Sequence, residues 1–257
     1  MEKNYISYNQ HIDFLISPKG ISENASSIVP LGQFLSQSNG NWSPAPYVGY
    51  TCITPTYPND ILNLSTYKIL LDIHGLLCQN LPHEVYVPAP SSALHMTVAR
   101  LISGEVFKEK IKDGQDYKFI TKIQDLFSSM PQYKSIHMEI RGISLFQQGV
   151  IAASIACCNT SDFEELMSFR DFIYTDVDLI PMGVERKRGF NGHITLGYIE
   201  NMLTNIDKAY LTDLLVDINK KHISRPLPFQ LTRAELRKFD NFLDFYRQED
   251  WPFYTFK

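Results

Sequence analysis

The sequence predicts an α+β protein, and three observations carry that expectation. Two segments share one signature, Leu94-His95-Met96-Thr97-Val98 and Gly192-His193-Ile194-Thr195-Leu196, each a His-x-Thr with apolar residues between and after the polar pair. Strand-like and helix-like segments succeed one another from about residue 46 to 250, with hairpins among them. The chain is 257 residues long, 44% apolar and 20% charged, ample for one large domain or two intimate lobes.

The elements read in order as follows. Residues 1–45 are mixed and rich in Ser, Asn and Gly, with no sustained period, and read as an N-terminal extension that wraps the domain or is partly mobile. Tyr47 to Tyr57 is β-branched and aromatic, hence a strand. Asp60 caps a helix over Ile61 to Gln79, where Leu62, Tyr67, Leu70, Leu71, His74, Leu77 and Cys78 form an apolar stripe. A short strand at Glu84 to Pro88 and a Pro/Ser loop precede the first motif strand, and Tyr117 to Met130 is a second helix. A hairpin follows, Ser135 to Phe146 and Gly149 to Cys157, turning at Gln147-Gln148-Gly149. A helix capped near Ser161 runs to about Asp176. After the second motif strand come a helix over Asn205 to Lys221 and a closing hairpin over Phe229 to Tyr246, turning near Asp240-Asn241. This order suggests two related halves within residues 46–250, a first-motif lobe over about 84–130 and a second over about 185–245.

An extended strand sends residues i and i+2 to one face, so each His points with its Thr while Met96, Val98, Ile194 and Leu196 bury behind. The copies lie 98 positions apart, and two such strands side by side would present two imidazoles and two hydroxyls to one cleft. The next residues in that alternation, Ala99 and Gly197, are small and would leave room for a ligand. Arg100 falls out of phase with His95 and Thr97 and is expected to leave the cleft. The plainer reading, a core histidine beside a β-prone threonine, is the stronger one for a single copy; the matched context of two favours a site.

These residues resemble the 2H phosphoesterases, a superfamily with two His-x-Thr/Ser motifs in an internally duplicated fold, of the LigT and cyclic-phosphodiesterase kind. Pro88-Ala89-Pro90-Ser91-Ser92-Ala93-Leu94-His95-Met96-Thr97 and Phe190-Asn191-Gly192-His193-Ile194-Thr195-Leu196-Gly197-Tyr198 are similar to a bacterial branch of that superfamily. The resemblance spans roughly residues 45 to 245, its specificity confined to the two motif strands. It implies a bilobal α+β fold, two antiparallel sheets lining a central cleft with helices outside. It also implies action on 2′,3′-cyclic phosphates, 2′-5′ linkages or RNA ends without a metal or other cofactor.

Opening a cyclic phosphate requires a base to activate water and an acid to protonate the departing ribose oxygen. Histidine suits both, its unperturbed pKa lying near 6.5, so His95 and His193 are the candidate catalytic pair. Thr97 and Thr195 would donate to the non-bridging oxygens, where charge builds. Which histidine is the base stays open at this level. Arg186, Lys187 and Arg188, just ahead of the second motif, are candidates to anchor a flanking phosphate, and Phe190 and Tyr198 to contact the substrate; a solvated loop is the alternative for the charged run.

Other chemistries lack their parts. Neither motif carries a third metal ligand at the required spacing, and His137-Met138-Glu139 has no Pro-Cys-x-x-Cys partner. Gly-x-Ser-x-Gly, Gly-x-x-x-x-Gly-Lys and Gly-x-Gly-x-x-Gly are absent from the sequence. The four cysteines (Cys52, Cys78, Cys157, Cys158) show neither metal nor disulfide spacing, and the first residues lack the apolar run of a secretory signal. With no apolar stretch of membrane-spanning length either, the expectation is a cytoplasmic protein without membrane contact. A net charge of −4 argues against an extended nucleic-acid surface while allowing a nucleotide or single RNA end, and a monomer is expected. The sequence therefore predicts a metal-independent phosphodiesterase. The rivals are a non-catalytic nucleotide-binding or sensing protein and an RNA 2′-5′ ligase-type transferase, which would need a larger basic surface.

Overall fold

The computed structural model describes residues 4–38, 41–112, 114–200 and 205–257. Its elements in chain order are α1 (Tyr5–Ile16), α2 (Pro18–Ser26), β1 (Phe34–Ser36), β2 (Trp42–Pro44), β3 (Gly49–Ile53), α3 (Leu64–Asn80), β4 (Tyr86–Pro88), β5 (Thr97–Ser103), α4 (Gly104–Lys110), α5 (Asp116–Ser129), β6 (Ile136–Leu145), β7 (Val150–Cys157), α6 (Thr160–Tyr174), β8 (His193–Ile199), α7 (Asn205–His222), β9 (Leu227–Leu231), β10 (Arg233–Asn241), β11 (Asp244–Tyr246) and β12 (Phe253–Thr255).

Two five-stranded antiparallel sheets organise the molecule. The first runs β11-β10-β3-β5, with β12 also on β10; the second runs β4-β8-β7-β6-β9. One sheet carries the first motif and the other the second, but the halves are not separate along the chain. Strand β4, ahead of the first motif, pairs with β8, and β10 to β12, near the C-terminus, complete the sheet of β5. This corrects the division into lobes over about 84–130 and 185–245: each sheet borrows strands from the other half. The closing hairpin is corrected as well. β9 pairs with β6 in the second sheet, Thr232 makes the crossing, and the hairpin is β10–β11, turning at Phe242-Leu243.

The described part of residues 1–45, expected as an extension without a sustained period, holds two helices and a short ribbon. In α1, Tyr8, Ile12 and Leu15 are buried against β6 and β7, and α2 packs beside α7. Asn4 caps α1 by accepting from the Ser7 amide, and Ser17 caps α2 with Pro18 in its first turn. The Tyr8 hydroxyl donates to the Ile155 carbonyl inside the core. The β1–β2 ribbon lays Phe34 against Tyr198, ring centroids 5.0 Å apart. Tyr8, Ile12 and Leu15 fall at helical spacing, but the stripe is short and gains its stability from packing.

Elsewhere the elements fall close to expectation. Helix α3 starts after a short 3-10 turn, and Asp60 accepts from the Asn63 side chain at 2.9 and 3.0 Å instead of capping a backbone amide. The β6–β7 turn uses Gly149 at φ 77°, a conformation that favours glycine. Asn159, two residues before the expected Ser161, caps α6 by accepting from the Asp162 amide.

Candidate active site

The two motif strands meet. Met96 and Ile194 form a single antiparallel bridge that joins the sheets, made possible because β4 is short and covers only Gly197 to Ile199 of β8. An antiparallel bridge at that pair sets His95 on the side of Thr195 and Thr97 on the side of His193. Met96 and Ile194 are fully buried on one side, and the four polar residues, all half-buried, share the other. The arrangement is a local two-fold, with each histidine beside the other motif's threonine.

The two imidazoles are held alike. His95 Nδ1 lies 2.6 Å from the Ala93 carbonyl oxygen, and His193 Nδ1 lies 2.8 Å from that of Asn191, in both cases two residues back. A carbonyl only accepts, so Nδ1 carries the hydrogen and Nε2 is the atom left to accept or give a proton. Each ring also rests on a phenylalanine: Phe245 of β11 at 4.4 Å from His95, and Phe146 at 5.2 Å from His193.

Burial favours the neutral form of both rings. His95 is lowered to about 4, chiefly by desolvation, with the His193 and Arg237 charges adding to it. His193 is lowered from 6.5, again by burial first, with Arg100 contributing. The Ala93 and Asn191 carbonyls oppose both shifts.

Matched bulges follow both motifs. The β3–β5 register passes from Ile53↔Thr97 to Cys52↔Ala99, and the β7–β8 register from Ala152↔Thr195 to Ile151↔Gly197. Val98 and Leu196 are the extra residues, and each reverses the alternation beyond it. Two expectations are corrected as a result. Ala99 and Gly197 turn into the core, where a Cβ on Gly197 would lie 2.3 Å from the Tyr86 ring, so their small size serves packing and not ligand space. Arg100, opposite Thr51, returns to the face of Thr97, and its charge acts on His193 and Tyr198 across the cleft. Tyr198 is the equivalent of Arg100 in the second motif. It sits on the Thr195 face, its pKa raised by burial, with Arg100 and the Thr195 hydroxyl opposing. The shared three-residue step from Thr97 to Arg100 and from Thr195 to Tyr198 was the signal in the sequence; the bulges that give it meaning are tertiary.

In the basic run before the second motif, one residue is tied to the scaffold. Arg186 pairs with Asp171 of α6 and lies 5.1 Å from the Tyr174 ring centroid, while Lys187 pairs with Glu185 at 3.2 Å. Phe190 is buried, 5.8 Å from the Tyr8 ring, and the Arg170 guanidinium lies over it at 5.1 Å. Arg170 also donates to the Val98 carbonyl, so this layer ties the approach to one motif to the bulge of the other. Phe190 as a stacking surface for a base and Arg186 as a phosphate anchor are therefore corrected; Arg188 is exposed. Among the described residues, no three His, Cys, Asp or Glu side chains are grouped to hold a metal ion. No helix among them is long and apolar enough to cross a membrane.

No protein-family model matches the chain, and no curated relative does. Solved structures do. A conserved protein of unknown function from Agrobacterium tumefaciens is 16% identical, with a TM-score of 0.61 over 85% of this chain and 90% of that one. LigT from E. coli in complex with 3′-AMP is 13% identical, with a TM-score of 0.43 over 81% and 94% of the two chains. A phosphoesterase structure gives 13%, 0.44, 82% and 96%.

The likeness to the Agrobacterium tumefaciens protein is one of fold. At the site of this chain, one His-x-Thr segment comes from each sheet, and the two are joined antiparallel about a local two-fold.

Proposed function

We propose that the protein is a metal-independent phosphodiesterase that opens a cyclic or 2′-5′ phosphodiester of a nucleotide or RNA end by His/His acid–base catalysis. The observation that supports this best is the Met96–Ile194 bridge, which brings both His-x-Thr pairs to one face. One Nε2 takes a proton from the attacking water, and the other gives its proton to the departing ribose oxygen. The Thr97 and Thr195 hydroxyls donate to the non-bridging oxygens, and Arg100 balances the charge that grows there. Both rings are held alike, through Nδ1 on a carbonyl two residues back, so either can serve as the base with the other as the acid. The four cysteines are free, in keeping with a reducing, cytoplasmic setting.

The deciding experiment offers 2′,3′-cyclic mononucleotides, 2′-5′ oligoadenylate, RNA ending in a cyclic phosphate, cyclic oligonucleotides and ADP-ribose cyclic phosphate, with phosphorus NMR of the products. Turnover of one with a defined phosphomonoester product supports the reading. Binding without turnover of any would make the protein a nucleotide sensor. Activity is expected to survive exhaustive EDTA treatment; loss that zinc or manganese restores would overturn the metal-independent mechanism.

The pH dependence follows from the two shifts. The base must be neutral and the acid protonated, so kcat/KM rises as one ring loses its proton and falls as the other loses its own, both below 6.5, with His95 at about 4. The expected profile is a bell with its maximum on the acidic side of 6.5. A rate still climbing at alkaline pH would remove both histidines as the acid.

A further inference from the structure

On the same face of the first sheet as the histidines, beyond the buried Ile53 and Glu235, lies a basic, aromatic patch that the mechanism does not use. Thr97 pairs with Ile53, Ile53 with Glu235, and Glu235 with Phe253, a straight row across β5, β3, β10 and β12. Residues directly opposite share a face, so Phe253 lies on the catalytic face, three strand spacings or about 14 Å from Thr97 along the sheet. Phe253 is 45% exposed. The Arg233 guanidinium lies 3.7 Å from its ring centroid and that of Arg247 lies 5.8 Å away.

Charge links this patch to the site. Arg237, whose charge reaches His95, is buried beside Glu235, its Nη2 2.7 Å from that carboxylate; Arg233 Nε lies 2.9 Å from the other Glu235 oxygen. Arg247 feels Arg233, Arg237 and Glu235, and Asp250 is the further acidic group beside it. Three guanidiniums thus surround one buried carboxylate. Arg247 donates from Nη2 to the Trp251 carbonyl, while its Nε is buried with no hydrogen-bond partner among the described residues.

We propose that Phe253, Arg233 and Arg247 form a second subsite, which takes the base and phosphate of a nucleotide neighbouring the one that reacts. The inference rests on the phosphodiesterase reading of the histidine cleft. The chemistry fits: a guanidinium stacked on an exposed ring accepts a further flat π-system, and the surplus positive charge accepts the phosphate. The reacting nucleotide does not reach across about 14 Å of sheet, so the subsite fits a substrate with a second nucleotide beside the reacting one, of which a short RNA strand is the proposed class.

The test measures binding and turnover separately. A fluorescent, 3′-phosphorylated RNA tetranucleotide is expected to bind wild-type protein about tenfold or more tighter than a 3′-mononucleotide, and the Phe253→Ser/Arg247→Gln variant to lose most of that difference. Phe253→Ser alone, a change at an exposed ring, repeats the comparison should the double variant lose its thermal transition. Equal affinity for the two lengths, or a preference that survives both substitutions, overturns the subsite. In kcat/KM on the corresponding 2′,3′-cyclic phosphates, length preference should follow the binding data. Length-dependent binding without turnover would sink the catalytic reading and leave the subsite standing; turnover without length preference would do the reverse.

Discussion

His95→Ala and His193→Ala are each expected to lower kcat by about 10²–10⁴, the usual worth of a positioned proton donor or acceptor. Their setting suits proton transfer, since each ring is half-buried, held through Nδ1 by a carbonyl two residues back, and leaves Nε2 to the cleft. The double variant should be little worse than the worse single one, because donor and acceptor act as a unit. Each single variant should lose one limb of the pH bell. Thr97→Val and Thr195→Val should cost less, about 10–10³, since each removes one of several donors to the same charge. Single-turnover kinetics on a cyclic phosphate check this, with thermal melts to confirm the fold. Near-wild-type turnover in either histidine variant would make that ring structural and the cleft a binding site.

Gly197→Ala is expected to cost about 3 kcal/mol or more of stability, lowering Tm by about 6–12 °C. The new methyl would fall 2.3 Å from Tyr86 Cε2 and 2.4 Å from its hydroxyl oxygen. That ring cannot step aside: Tyr86 is 2% exposed, donates to the Leu196 carbonyl at 2.9 Å, and belongs to β4, which zips onto β8 at Ile199 to Gly197. Moving it breaks a buried hydrogen bond and the pairing that bounds the motif strand. Calorimetry distinguishes this from a ligand-space role, in which Ala would raise KM and leave Tm nearly alone. Adding Tyr86→Leu should recover part of the loss.

How far each feature was legible depends on the range of the forces behind it. Helices α3, α5, α6 and α7 and the β6–β7 hairpin announce themselves through period, cap or turn glycine, all local. Helices α1 and α2 carry weaker local signals, Asn4 and Ser17-Pro18 as caps and Tyr8, Ile12 and Leu15 at helical spacing, but so short a stripe is held as a helix by packing against β6, β7 and α7, more than a hundred residues away. Phe190 and Arg186 look like ligand groups beside a motif, yet Tyr8, Arg170 and Asp171 claim them.

The sequence by itself determined the histidines, the threonines and the strand character that points each pair one way, because alternation along an extended chain needs no partner. Only the tertiary structure decided that the pairs meet, through Met96 and Ile194, and that Arg100 and Tyr198 share their face. A bulge exists only relative to the neighbouring strand. Val98 and Leu196 look like any other apolar residue until β3 and β7 fix the register against which each becomes the extra one.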